Sequence, residues 1–486
     1  MQREALSNIE VLIVGAGLGG LVAAIECYRQ GHSPRVVESR NEAEGVGDFL
    51  GIGPSAINHF QKWPPMAETY RNIIYKPDMI MYTYDGTLIG GPLRLSEASH
   101  WRPVPVSRPK LARALYDHAL SLGIPIMFGK RIAEYGESED KAYAIDDRGE
   151  RFDADVVVAA DGIGTKAGKI VPGKAKAVSS GWSVYRVSYP TMILQEDPLL
   201  SKYYSFHTED QPDYCDVFMS PKGQVIILVS RDLTTWLFTH EDKGEAEETW
   251  TTRKDSSLAL QCLQETGLEW DERIPAIMKR TPPGTIVDYK ITWRDPNPTW
   301  TSPGGRVVKI GDAAHAFIPN STNGATQAME DGISLAACLK LSGKNNITLA
   351  TRVHTKLRYK QLSPIDLLLA ITERFTNPAF SRFERTSCAQ KQGFRNKEKW
   401  EKDFDLIRKD PLAAAKSVGR WTSQHNPEQY VYDKWQAAVN HIVSGAPFQN
   451  TNLPPGYEYE PWTMDSLNLL AGMNDGEIPA DPGDWD

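Results

Sequence analysis

The stretch Glu10-Val-Leu-Ile-Val-Gly15-Ala-Gly17-Leu-Gly-Gly20-Leu-Val-Ala-Ala-Ile-Glu-Cys-Tyr-Arg29 decides the fold. Glu10 to Val14 is a short apolar run that predicts a buried strand, and Leu18 to Arg29 predicts a helix. Between them Gly15 permits a tight turn, Gly17 lets a backbone approach a pyrophosphate, and Gly20 lets helix and strand pack closely. The pyrophosphate then meets the helix N-terminus, where unpaired N–H groups and the dipole favour an anion. A second strand, Arg35 to Glu38, ends in an acid 18 residues after Gly20, where a carboxylate can accept from a ribose hydroxyl. A lone GxGxxG also occurs in ordinary turns; strand, turn, helix and acid together predict a dinucleotide site. They do not separate NAD from FAD.

Two later segments bear on that choice. Asp155-Val-Val-Val-Ala-Ala-Asp161-Gly162 is an apolar strand ending in Asp-Gly. Arg306-Val-Val-Lys-Ile-Gly311-Asp312-Ala-Ala-His315 is another, followed by Pro319, Gly324, Ala325 and Glu330-Asp331. An acid at such a strand end, Asp312, can accept from a ribitol hydroxyl. A helix starting near Ala325 aims its N-terminal dipole at what lies above it. A flavin edge that becomes anionic on reduction gains from that placement.

These three segments resemble, in order and across roughly residues 9 to 340, those of the class A (single-component) FAD-dependent monooxygenases, the group of para-hydroxybenzoate and salicylate hydroxylases. The resemblance implies an α/β fold: a Rossmann-type FAD-binding domain interleaved with an antiparallel β-sheet substrate domain, plus C-terminal helices. It implies that Arg108, in Arg108-x-x-Leu111-x-x-x-Leu115, contacts the flavin cofactor, as do Asp161 and Asp312. It implies FAD as cofactor, NADPH or NADH as co-substrate docking transiently, and O2 added to reduced flavin as a C4a-hydroperoxide. An aromatic ring of indole or phenol type, in a small-molecule secondary metabolite, is then hydroxylated or epoxidised. The chain departs from the family at Gly168-Lys169, where an arginine is usual, and at Thr322-Asn323-Gly324. With the run Gly47-Asp48-Phe49-Leu50-Gly51, this last variant is similar to fungal natural-product monooxygenases, including those that epoxidise indole alkaloids.

Few side chains need be catalytic. Arg186 is a lone charge in the strand-like Trp182-Ser-Val-Tyr-Arg-Val-Ser-Tyr-Pro190; facing the flavin it can hold a phenolate or a developing anion. Tyr185 alternates with it and faces the other way. Asp48, in its glycine-rich loop, can accept an indole N–H or a phenol proton. Solvent-facing positions are the plain alternative for both. His315 is expected to pack within the cofactor site and not to act as a base, and His240 to lie at the surface. Two other classes stay open: a flavin-dependent halogenase, whose Trp-x-Trp-x-Ile-Pro segment is absent although Trp293 and Trp300 occur, and a non-oxygenating FAD oxidoreductase on the same fold.

Composition fits an ordinary globular enzyme: 486 residues, 41% hydrophobic and 24% charged. A net charge of −8 without a basic run argues against a nucleic-acid partner. Five widely spaced cysteines form no CxxC, so reduced thiols and no metal are expected. The polar Met1 to Asn8 runs straight into the first strand, and no apolar run nears the roughly 18 residues of a membrane span; a cytoplasmic location is expected. Residues 1–78, 96–180 and 284–345 are assigned to the FAD-binding domain, 79–95 and 181–283 to the substrate sheet, and 346–486 to C-terminal helices. Within these, 246–280 reads as helical, Pro364 to Ile371 as a helix face, and the acidic last thirteen residues as a fraying end.

Overall fold

The computed structural model describes residues 1–43, 47–94, 102–173, 177–297, 299–358, 384–402, 409, 419–460, 462–467 and 481–485. The short apolar runs pair as a parallel sheet in the order Val307–Lys309, Val156–Ala159, Glu10–Val14, Ser33–Val37 and Ile126–Met127. Parallel strands are covered on both faces, which is why they read as continuous apolar runs instead of alternating ones. Val11 and Ile13 point to the helices Leu18–Arg29 and Gly324–Ser342. Leu12 and Val14 point to a small antiparallel sheet of Ile132–Glu137, Ala142–Asp146 and Arg151–Ala154.

The second layer is an eight-stranded sheet in the order Arg253–Lys254, Ile286–Arg294, Ala177–Pro190, Leu233–Glu241, Gly223–Val229, Asp213–Ser220, Pro77–Thr83 and Leu88–Arg94. All neighbours are antiparallel except Asp213–Ser220 with Pro77–Thr83. Side chains alternate between its faces. Tyr185, Val187, Tyr189, Phe238 and Ile227 form a back core under the helices Ser256–Glu265 and Arg273–Arg280. Val184, Arg186 and Leu237 face forward toward the ends of the parallel strands. Expectation and structure therefore agree on an α/β fold with an antiparallel sheet laid over a Rossmann-type unit.

Several boundaries differ. Ile286–Arg294 joins the large sheet beyond the expected limit of 283, because its charges are absorbed by partners: Asp288 pairs with Lys254 at 2.9 Å and Lys290 with Asp242 at 3.0 Å. The expected helix over 246–280 is two helices, and the first starts only where Asp255 accepts from Ser257 N–H at 3.0 Å as its cap. The preceding loop is left free to enter the interior. His240 is not at the surface; it is buried on the back face against Tyr185.

The helix Gly324–Ser342 is buried on nearly all sides, including Glu330 and Asp331. Its charges are met from the C-terminal region. Arg385, on the helix Arg385–Lys402, donates from Nε and Nη2 to the two Glu330 oxygens at 3.0 and 2.9 Å. Arg358, ending the helix Ile347–Arg358, bonds Glu330 and also Asp331, the latter at 2.8 Å. The C-terminal helices thus supply the counter-charges of the helix behind the cavity. The end of the chain also packs: among the described residues 481–485, Trp485 is 8% exposed against Tyr457, and Asp481 pairs with Lys391. An aromatic anchor holds residues 481–485 against the fraying that their acidic composition predicted, and the other residues of that stretch, 474–480 and 486, lie outside the described residues. Pro364 to Ile371 lies outside the described residues. No described helix is long and apolar enough to cross a membrane.

Candidate active site

Between the two layers lies a cavity of roughly 430 Å³. One end is built by the glycine turn. Gly15 has φ +107°, and a Cβ on it would stand 2.4 Å from the Ala160 carbonyl oxygen. A Cβ on Gly20 would stand 2.0 Å from the Gly15 carbonyl, so helix and strand touch there. Gly17 differs: a Cβ there meets nothing within 4 Å, and the residue lines the cavity. The Leu18–Arg29 helix begins without a side-chain cap, so its first N–H groups are open to an anion. Glu38, 6% exposed, sits beneath this turn and accepts from the N–H of Ala16 at 2.7 Å and of Arg40 at 2.9 Å. Burial would raise its carboxyl, but these bonds and the Arg40 guanidinium hold it below the usual range. It therefore braces the turn from beneath and is not among the residues lining the cavity.

The other strand ends converge on the same space. Asp161 accepts from the Tyr135 hydroxyl at 2.6 Å, and Gly162 lines the cavity. Burial raises the Asp161 carboxyl against the Thr165 and Tyr135 hydroxyls. Gly168 and Lys169 are exposed. Asp312 lines the cavity; its surroundings push its carboxyl up, with His315, Arg108 and Arg294 opposing. His315 is buried, its Nε2 2.5 Å from Asp331 Oδ2, while Asp331 also takes the Gly311 N–H at 2.9 Å. It fixes the strand-to-helix turn, as expected of a packing residue. Pro319, Gly324 and Ala325 line the cavity. Asn323 makes no side-chain cap, so a second helix N-terminus opens onto the same volume. Two uncapped helix ends, a glycine free of obstruction and a strand-end acid form a cradle that fits FAD.

The opposite end carries the two catalytic candidates, and they are one unit. Arg186 Nε donates to Asp48 Oδ2 at 2.5 Å, and Nη2 donates to Oδ1. Asp48 is 4% exposed and is not a solvated loop residue; its backbone carbonyl also accepts from the Arg108 N–H at 2.8 Å. Arg186 stacks its guanidinium 4.5 Å over Trp250, and Arg108, at the start of the Arg108–Ser121 helix, lies 5.2 Å from the same ring. Phe49, Val184, Ile226, Leu237, Ile291 and Phe317 give this end apolar walls. Sequence reasoning missed Trp250 and the Glu248–Arg294 pair beside it. The available signal was an aromatic in the polar run Glu248-Thr-Trp-Thr-Thr252, with no motif around it.

Residues 8–346 match the family described as FAD binding domain. The FAD-dependent monooxygenase fsr3 of Gibberella fujikuroi is 36% identical over 500 residues, covering 99% of this chain and 90% of that protein. The FAD-dependent monooxygenase mdpD of Emericella nidulans is 33% identical over 507 residues, covering 99% and 91%. Among solved structures, CtdE in complex with FAD and substrate 4 superposes with a TM-score of 0.78 at 28% identity, covering 90% of this chain and 100% of that one. FqzB gives 0.75 at 28% identity, covering 93% and 98%. On this evidence the chain belongs to the FAD binding domain family, and within it to the FAD-dependent monooxygenases.

Proposed function

We propose that this monooxygenase uses NADPH or NADH and O2 to hydroxylate or epoxidise an electron-rich aromatic ring, of phenol or indole type, in a fungal secondary metabolite. The observation that carries the reading is one cavity that joins an anion cradle to a paired guanidinium among apolar walls. The chemistry that FAD supplies when bound is acceptance of hydride and activation of O2. Gly15, Gly17 and Gly20 admit the pyrophosphate, Glu38 takes the ribose, and Arg108, Asp161 and Asp312 hold the rest of the cofactor. Pro319, Gly324 and Ala325 bring a helix N-terminus to the cavity, where its dipole would favour negative charge on a bound flavin. The division of labour follows the layers, with the parallel sheet and its helices holding the cofactor and the large sheet, which includes Ile286–Arg294, covering the substrate.

At the far end the apolar walls select a flat ring and exclude water, which strengthens every charge inside. Arg186 is the catalytic residue of this reading: its guanidinium faces the reacting ring and stabilises negative charge that develops there. Asp48 positions it, since two parallel bonds fix both the plane and the direction of the fork. An arginine held this way contributes as a fixed donor and needs no reorganisation during the reaction. The test is a panel of phenols and indoles offered with NADPH in air. Ring-oxygenated product formed in step with NADPH and O2 consumption supports the reading; NADPH oxidation with no product from either class removes it.

Two results are expected at the cradle. Gly17→Val should abolish FAD retention, because the isopropyl group fills open space at the turn where the pyrophosphate is proposed to lie; full flavin occupancy by absorbance would contradict this. Glu38→Ala should weaken FAD by about ten- to a hundred-fold, the worth of a charge-assisted hydrogen bond. Titration giving an affinity within about two-fold of wild type would show that Glu38 only braces the turn.

A further inference from the structure

Two neighbouring rows of side chains on the large sheet face the cavity. Arg186, Leu237 and Ile226 stand side by side on the strands Ala177–Pro190, Leu233–Glu241 and Gly223–Val229. Two residues along the same face, the neighbours are Val184, Thr239 and Gln224. All of these residues line the cavity. Thr239 and Gln224 are directly opposite one another on antiparallel strands, which sets their Cβ atoms about 5 Å apart. An amide and a hydroxyl are therefore within reach of one ligand group.

Other polar groups on the cavity wall are held by protein partners. Arg186 is held by Asp48, and the Thr292 hydroxyl donates to Glu248 at 2.6 Å. Gln224 and Thr239 differ: among the described residues their side chains have no hydrogen-bond partner, and both are half-buried. Ligand cavities with apolar walls carry few polar groups, and those few fix the ligand's orientation. A substrate that fills this end displaces water from both side chains, and leaving such a group unmatched costs about five-fold or more in affinity.

We propose that Gln224 and Thr239 form a specificity site for a hydroxyl substituent of the substrate, carried on a second ring beyond the one that reacts. A hydroxyl both donates and accepts, and the Gln224 amide with the Thr239 hydroxyl offers both functions in return. Neither side chain is charged, so the site matches a neutral group and not a carboxylate. The second ring follows from distance. Gln224 lies two strands from the strand of Arg186, about 10 Å across the sheet, which is further than a single ring at Arg186 spans. The assignment rests on the reading of Arg186 as the group that faces the reacting ring. A substrate without the hydroxyl leaves both side chains unmatched and is rejected on that ground.

The experiment measures binding to the FAD-loaded protein by calorimetry with no NADPH present, so its result stands whether or not the ring is later oxygenated. The probes are 2-naphthol and 2,6-dihydroxynaphthalene, which differ only by a hydroxyl at the far end. The wild type should bind the diol at least about five-fold more tightly. Gln224→Leu and Thr239→Val keep roughly the size of the side chain and remove its polar atoms, and each should bring that ratio below about two-fold. A merely structural change lowers both affinities together and leaves their ratio, so the ratio reports the contact. Equal affinities in the wild type, or no measurable binding of the diol, overturn the proposal, and so does the wild-type ratio retained in either variant. If one variant fails to hold FAD, the other decides alone.

Discussion

Arg186→Ala should retain FAD and still oxidise NADPH, while product per NADPH falls by about a hundred-fold or more and released peroxide rises to match. Removing one preorganised donor aimed at developing charge typically costs about 10² to 10³ in rate. The geometry sharpens this expectation, because the guanidinium is fixed by two bonds to a buried Asp48 and by the face of Trp250. The same geometry adds a structural cost. Asp48 is left buried without its partner, so the alanine variant should also unfold more easily, by about 3–5 kcal/mol. Arg186→Lys separates the two effects. It keeps the charge and most of the stability, yet an ammonium lacks the planar fork and should restore coupling only in part. Unchanged coupling in Arg186→Ala would take this residue out of the chemistry and leave the FAD assignment standing.

Arg385→Ala should lower stability by about 3–5 kcal/mol, the usual cost of removing one partner from a buried ion pair. Glu330 loses two of its bonds there, and no solvent reaches it. Flavin should dissociate in the same transition, since Glu330 sits on the helix whose N-terminus lines the cavity. Denaturant unfolding followed by flavin fluorescence checks both, and a loss below about 1 kcal/mol would show the pair to be dispensable. Acid should act through the same network. Burial disfavours the Glu330 and Asp331 charges, but Arg385 and Arg358 hold Glu330 well below the usual carboxylate range, and His315 and Arg358 bring Asp331 to about 2. Their folded values are depressed, so their stabilisation is fully present above the ordinary values of 4.5 and 3.8 and fades as pH falls toward 2. Flavin release with a midpoint in that window is expected; release beginning near neutral pH would point to other groups.

The cofactor end of the cavity was legible in the sequence because backbone geometry alone demands it. A positive φ at Gly15 and a 2.0 Å approach at Gly20 leave no choice of residue, so the motif is local and readable. The substrate end was half legible. Arg186 stood out as a charge in an apolar strand and Asp48 as an acid in a glycine loop, but 138 residues separate them and nothing local pairs them. Trp250 enters the cavity from a loop with no periodicity. His240 was misread for the same reason, since its carboxylate partner Asp288 arrives on a strand 48 residues later. Arg358 and Arg385 read as ordinary charges of C-terminal helices. Only the fold shows that the acids of a buried helix require them.

The fate of molecular oxygen tests the monooxygenase reaction directly. The FAD-loaded enzyme is given NADPH, a phenol or indole that it turns over, and oxygen-18 gas in unlabelled water. Mass spectrometry then counts labelled atoms in the product. A single labelled oxygen on the aromatic ring is the predicted result, with its partner atom in water. Product carrying only unlabelled oxygen, or product oxidised without any added oxygen atom, would contradict the account.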